Sequence, residues 1–117
     1  MQDRPAAPAH LTAEARAWWE SVVADYVLDA HHLRLLQLAA EAWDRGQQAR
    51  RALKRHGTTY TDRFGQPKAR PEVAIERDSR IAFARLLREL ALDVDGPAEP
   101  YARPPAVPAN ASLRAVR

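Results

Sequence analysis

Between Asp29 and Gly57 the chain runs through AHHLRLLQLAAEAWDRGQQARRALKRH, about 27 residues without a proline and with a single glycine. Asp29 suits an N-cap, because its carboxylate can accept a backbone N–H of the first turn, and Gly57 suits the position just past a helix end. One helix of that length spans about 40 Å and exceeds the usual globular helix, so everything else must be arranged along it. Leu35, Ala39, Ala42, Gly46, Ala49 and Leu53 recur on one stripe, and its small middle members let another helix approach closely. Gly46 costs roughly 1 kcal/mol relative to alanine, which predicts a packing reason or a mild break there. The length also fits a helix that reaches beyond its own domain to a neighbouring subunit.

Shorter elements flank it. Pro5 and Pro8 make residues 1–10 an extended arm. In LTAEARAWWESVVADYV the apolar residues at 15, 18, 19, 22, 23 and 26 follow the i, i+3, i+4, i+7 recurrence. Thr12 is the expected N-cap, with Glu14 in the first turn favoured by the helix dipole, and the spacing predicts a helix over 13–27. After Gly57, Thr59 to Thr61 suit a strand, Asp62 to Gly65 a turn, and Gln66 to Ala69 a returning strand that Pro67 confines to an edge. Pro71 fits the first position of a third helix over 71–92, with Ile75, Ser79, Ala82, Phe83, Leu86 and Leu90 on one face. Five prolines follow Asp95 and periodicity ends. The expected architecture is mainly α: an arm at 1–10, a three-helix domain at 11–95 with a small hairpin at about 58–69, and a disordered Pro-rich tail at 96–117.

Charge is what distinguishes the middle of the chain. The net charge of +3 conceals a segregation: residues 1–44 carry three Arg against seven Asp or Glu, residues 45–70 carry eight Lys or Arg against Asp62 alone, and the remainder balances. Arg50 with Lys54, and Arg51 with Arg55, are i, i+4 neighbours, so the end of the long helix presents a cationic ridge, and Arg63, Lys68 and Arg70 continue it through the hairpin. Such a ridge is either a solvated face that also suits a helix C-terminus, as charge runs usually are, or a surface for phosphates, toward which the single acid among eight cations weighs. Tyr60 and Phe64 can stack on a base or wedge a groove, but packing of the hairpin onto the helices is the favoured role, because a lone hairpin is marginal in water.

Enzyme chemistry has little to stand on. There is no cysteine, hence no disulfide and no thiolate metal site. His31 and His32 point about 100° apart on a helix, and His10 and His56 have no partner at ligand spacing, so no metal is expected. Ser79 has no base placed to activate it, and there is no Walker-type or Gly-rich phosphate cradle, so neither cofactor binding nor ATP hydrolysis is expected. MQDRPAAPAH has no apolar h-region and no apolar run approaches about 18 residues, which places the protein in the cytoplasm with no membrane partner. Trp18, Trp19 and Trp43 read as core or subunit-interface aromatics. One of the adjacent Trp18 and Trp19 must lie off the core centre, which, with Gly46, favours contact with another copy.

The order of these features resembles the small subunit of a tailed-phage terminase. APAHLTAEARAWWE, LAAEAWDR, HGTTYTDRFGQPKARPE and RLLRELALD carry the resemblance, with Gly57, Tyr60, Gly65 and Pro71 in the matching order, across about residues 5–96. The chain departs where such proteins often read LGLTP: here LALDVDGP puts Ala91 in place of the glycine. The resemblance implies a non-enzymatic partner of the large terminase subunit, assembled into a ring in the cytoplasm of the infected bacterial host. It further implies that the protein recognises the packaging start on double-stranded viral DNA and tunes the motor's ATPase and nuclease. Two rivals remain at this level: a helix-turn-helix regulator, which would want two short helices and a tight turn, and a structural phage connector whose basic block meets an acidic protein.

Overall fold

The computed structural model describes residues 4–92 and 107–108. Its elements are α1 (Ala13–Asp25), β1 (Tyr26–Val27), α2 (Ala30–His56), β2 (Thr59–Thr61), β3 (Pro67–Ala69), α3 (Pro71–Leu90) and β4 (Val107–Pro108). The architecture is the expected three helices with a hairpin between the second and third. The expectation of a disordered 96–117 falls outside the described residues except at β4, which pairs antiparallel with β1, Tyr26 opposite Pro108 and Val27 opposite Val107.

Local chemistry starts each helix where expected. The Thr12 hydroxyl accepts the Ala15 N–H at 3.2 Å, and the Asp29 carboxylate accepts the His32 N–H at 2.9 Å. That bond, helped by the nearby His32 and His31 rings, holds the Asp29 carboxyl below its ordinary pKa. The cap is therefore fully present above the usual carboxylate range and is lost as pH falls through the depressed value. Gly57 ends α2 at φ 82° and ψ 178°, a conformation essentially reserved for glycine, and Pro71 opens α3. Both other expected helix ends come early. α1 stops at Asp25 rather than 27, because Tyr26 and Val27 turn extended to pair with β4 and the Tyr26 hydroxyl donates to the Leu92 carbonyl at 2.7 Å. α3 stops at Leu90 rather than 92, because Ala91 is left-handed at φ 53° and ψ 46°.

The three helices share one core, and only at one end. α1, α2 and α3 bury Trp19, Val22 and Val23, then Leu36, Ala39 and Ala40, and finally Leu90, with Leu11 closing the top. Antiparallel packing of α2 and α3 can be followed by successive contacts: Trp43 against Phe83, Gly46 against Ser79, Arg50 to Glu76. A Cβ on Gly46 would stand 3.4 Å from the Ser79 Cβ, so the small stripe serves close approach of α3 within the chain. The start of α1 meets α2 at Trp43 and Asp44, and α1 runs back from there toward the α2 N-terminus. The last three or so turns of α2 are left to α3 alone.

Ala91 generates a stability prediction. A left-handed L-residue costs about 1–2 kcal/mol that glycine avoids, so Ala91→Gly should stabilise the fold by about 1 kcal/mol and raise Tm by several degrees. Thermal unfolding followed by circular dichroism checks it, and an unchanged or lower Tm would show that Ala91 is not held left-handed.

A candidate nucleic-acid interface

The hairpin is built around one carboxylate. Three residue pairs, Thr59 with Ala69, Tyr60 with Lys68 and Thr61 with Pro67, form the ladder. The Arg70 N–H extends it by donating to the Thr58 carbonyl at 2.9 Å. At the far end Asp62 Oδ1 accepts the backbone N–H of Phe64 and of Gln66, each at 2.9 Å. The Gly65 N–H reaches back to the Asp62 carbonyl at 3.0 Å, and Gly65 itself is at φ 78°. A turn closed by a left-handed glycine is a standard three-residue hairpin connection. It makes Arg63 and Phe64 the tip. The block's single acid is thus spent on backbone amides.

All six strand residues are exposed. Phe64 is 74% and Tyr60 43% exposed, so the favoured expectation that these aromatics pack the hairpin onto the helices does not hold. Ladder and turn bonds, with the Gly57 and Pro71 anchors, hold the hairpin instead. The Arg63 guanidinium lies over the Phe64 ring at 5.0 Å, within cation–π range.

The seven expected cationic positions divide into four environments. Arg51, Lys54 and Arg55 are exposed on α2 and fall within an arc of about 100°. That arc continues the side on which Asp44 receives α1, so the cations occupy the face that α1 leaves uncovered. Arg63 and Lys68 are exposed on the hairpin. Arg50 is drawn across to α3, 3.3 Å from Glu76, which is 17% exposed and also holds Arg80 at 3.4 Å. Arg70 is half-buried at the base of the hairpin, its Nε without a hydrogen-bond partner. Glu76 is the residue that sequence reasoning missed; its i, i+4 spacing to Arg80 was the available signal, but the pair with Arg50 spans two helices.

The four positions expected at a subunit interface are engaged inside the chain. Trp19 is buried and its Nε1 donates to the Pro5 carbonyl at 3.0 Å, which fastens the N-terminal arm across α1. Trp18 and Trp43 both tilt against Phe83, with ring centroids 5.5 and 5.2 Å away, and Gly46 faces Ser79. The large apolar side chains left exposed on the helices and β1 are Val27, Leu38, Ile75, Ile81 and Leu87.

No helix among the described residues is long and apolar enough to cross a membrane. The family described as phage terminase, small subunit, matches residues 15–98. No curated protein and no solved structure matches the chain.

Removal of the turn carboxylate should loosen the hairpin alone. Asp62→Ala should raise amide exchange at Phe64 and Gln66 at least tenfold while Tm stays within a few degrees, because the hairpin contributes little to the core. Unchanged protection at both amides would mean that the turn holds without its carboxylate.

Proposed function

The match covers more than two thirds of the chain, which therefore belongs to the phage terminase small-subunit family and has a role in phage DNA packaging; from that premise we propose that it is the non-enzymatic, oligomeric DNA-binding subunit. In this reading it recognises the packaging start on double-stranded viral DNA and regulates the large ATPase/nuclease subunit, in the cytoplasm of the infected bacterial host. The observation that carries it is the end of the molecule that α1 does not cover. There five exposed cations, Arg51, Lys54, Arg55, Arg63 and Lys68, gather with Asp62 tied up in the turn. An uncompensated cationic surface of this kind suits a polyanion. A helix-turn-helix reading is less well supported, since the cations sit on one helix of 27 residues that leads into a strand.

Self-association is part of the proposal, and the surface for it shifts from the tryptophans to the exposed apolar residues. Leu38, 52% exposed, and Ile81, 42% exposed, are the plainest members, and burying such side chains between copies is favourable. Light scattering at tens of micromolar is expected to give a mass above that of a dimer; a monomeric mass would remove the oligomer from the proposal.

The DNA reading is tested by salt. With four phosphates contacted, the log–log slope of affinity against salt should be about −3.6, at −0.9 per phosphate. Changing Arg51 and Arg55 together to Gln should make the slope shallower by about two units without loss of helix content. Arg50→Gln should alter it less, because the Arg50 guanidinium is drawn toward α3 by its pairing with Glu76. Equal affinity and slope in the parent and the double variant would assign the ridge to solvent or to a protein.

A further inference from the structure

Phe64 is the most exposed large apolar residue among the described ones, and it stands on the least yielding kind of loop. A floppy loop would let the ring fold back onto apolar neighbours. Here two amide bonds to Asp62 and the Gly65 turn hold residue 64 at the apex, and a three-pair ladder lifts it roughly 10 Å from the helix ends. Among the described residues, the partner over its ring is the guanidinium of Arg63. Lys68 is exposed on the returning strand, the α2 ridge leads into the hairpin's base, and the hairpin's one carboxylate, Asp62, is engaged in the turn.

We propose that Phe64 is a wedge: the hairpin tip enters the minor groove of duplex DNA and the Phe64 ring inserts partway between two base pairs, kinking the duplex. The inference rests on the DNA-binding reading above and specifies how contact is made. The minor groove is about 7.5 Å deep, so a two-residue tip on a ladder of this height reaches the bases while Lys68 and the α2 cations stay at the level of the phosphates. Phenylalanine is among the residues that proteins use to unstack a base step from the minor-groove side. Arg63 enters beside it, and a guanidinium suits the negative potential of a narrow groove. A protein partner is the competing occupant; the excess of cations on the hairpin and on the end of α2 weighs against it. Unstacking is least costly at pyrimidine–purine steps, so the wedge makes those steps preferred without any hydrogen bond to a base.

The test uses the full chain with a short duplex that carries donor and acceptor dyes at its ends and 2-aminopurine at a central TA step. Wild type should shorten the end-to-end distance and brighten the 2-aminopurine. Phe64→Ala should lose both signals and bind about tenfold or more weakly, with the salt slope unchanged; Phe64→Leu, which keeps an apolar wedge, should retain part of the bend. Circular dichroism should be the same for all three, given the exposure of residue 64. Binding with no bend and no fluorescence change, or full bending by Phe64→Ala, would overturn the wedge and leave DNA binding standing. Loss of self-association or of large-subunit binding in Phe64→Ala, with duplex bending intact, would reassign the tip to a protein. If wild type fails to bind duplex at low salt, both readings fall together.

Discussion

Phe83 meets Trp18 from α1 and Trp43 from α2 at centroid distances near 5 Å, and so is touched by both other helices at one point. Tilted ring pairs at this spacing contribute about 0.5–1.5 kcal/mol each beyond the area they bury. Their position matters more than their energy. They lie where three-helix packing gives way to two, just before the Gly46–Ser79 approach that keeps α2 and α3 together for the rest of their length. With the junction secured, α1 needs only to cover the first half of α2, and a hairpin can be carried at the far end without a core of its own.

The opposite charges of the two halves have opposite fates. Acids of the N-terminal half are engaged at the start of α1. Asp44 takes the Thr12 N–H at 2.9 Å and its hydroxyl at 2.5 Å, Glu41 takes His10 at 2.6 Å and Gln37 at 3.1 Å, and Glu14 takes the Trp43 indole. Among the described residues, most cations of the middle block form no such ion pair. The exception is Arg50, which Glu76 holds to α3. The fold thus separates a half where charge is used for attachment from a half where it is displayed.

What the sequence revealed follows from range. Thr12, Asp29, Gly57 and Pro71 act on backbone within a few residues, so the helix starts and the sharp exit from α2 were legible. The Gly65 turn was legible for the same reason. The ends at Asp25 and Leu90 were not, because one depends on β4, some 80 residues on, and the other on an alanine that takes a conformation its side chain disfavours. Of the adjacent tryptophans, Trp19 is buried and held by the N-terminal arm, while Trp18 lies off the core centre, partly buried against Phe83, a partner on another helix. The cationic ridge is visible in sequence as a cluster. Its subdivision depends on which side α3 packs against, and no periodicity within α2 reveals that.

The stretch from Trp43 to His56 is a stiff rod about 20 Å long, braced by α3 along one side and fixed at its root by the aromatic junction. Mechanically it is a lever. A tilt of about 10° at the root sweeps its end through roughly 3–4 Å, about the rise of one base pair. A small change of angle at the root is thus enlarged at the hairpin, so in the proposed complex the aromatic junction, as well as the tip, sets which base step the tip meets.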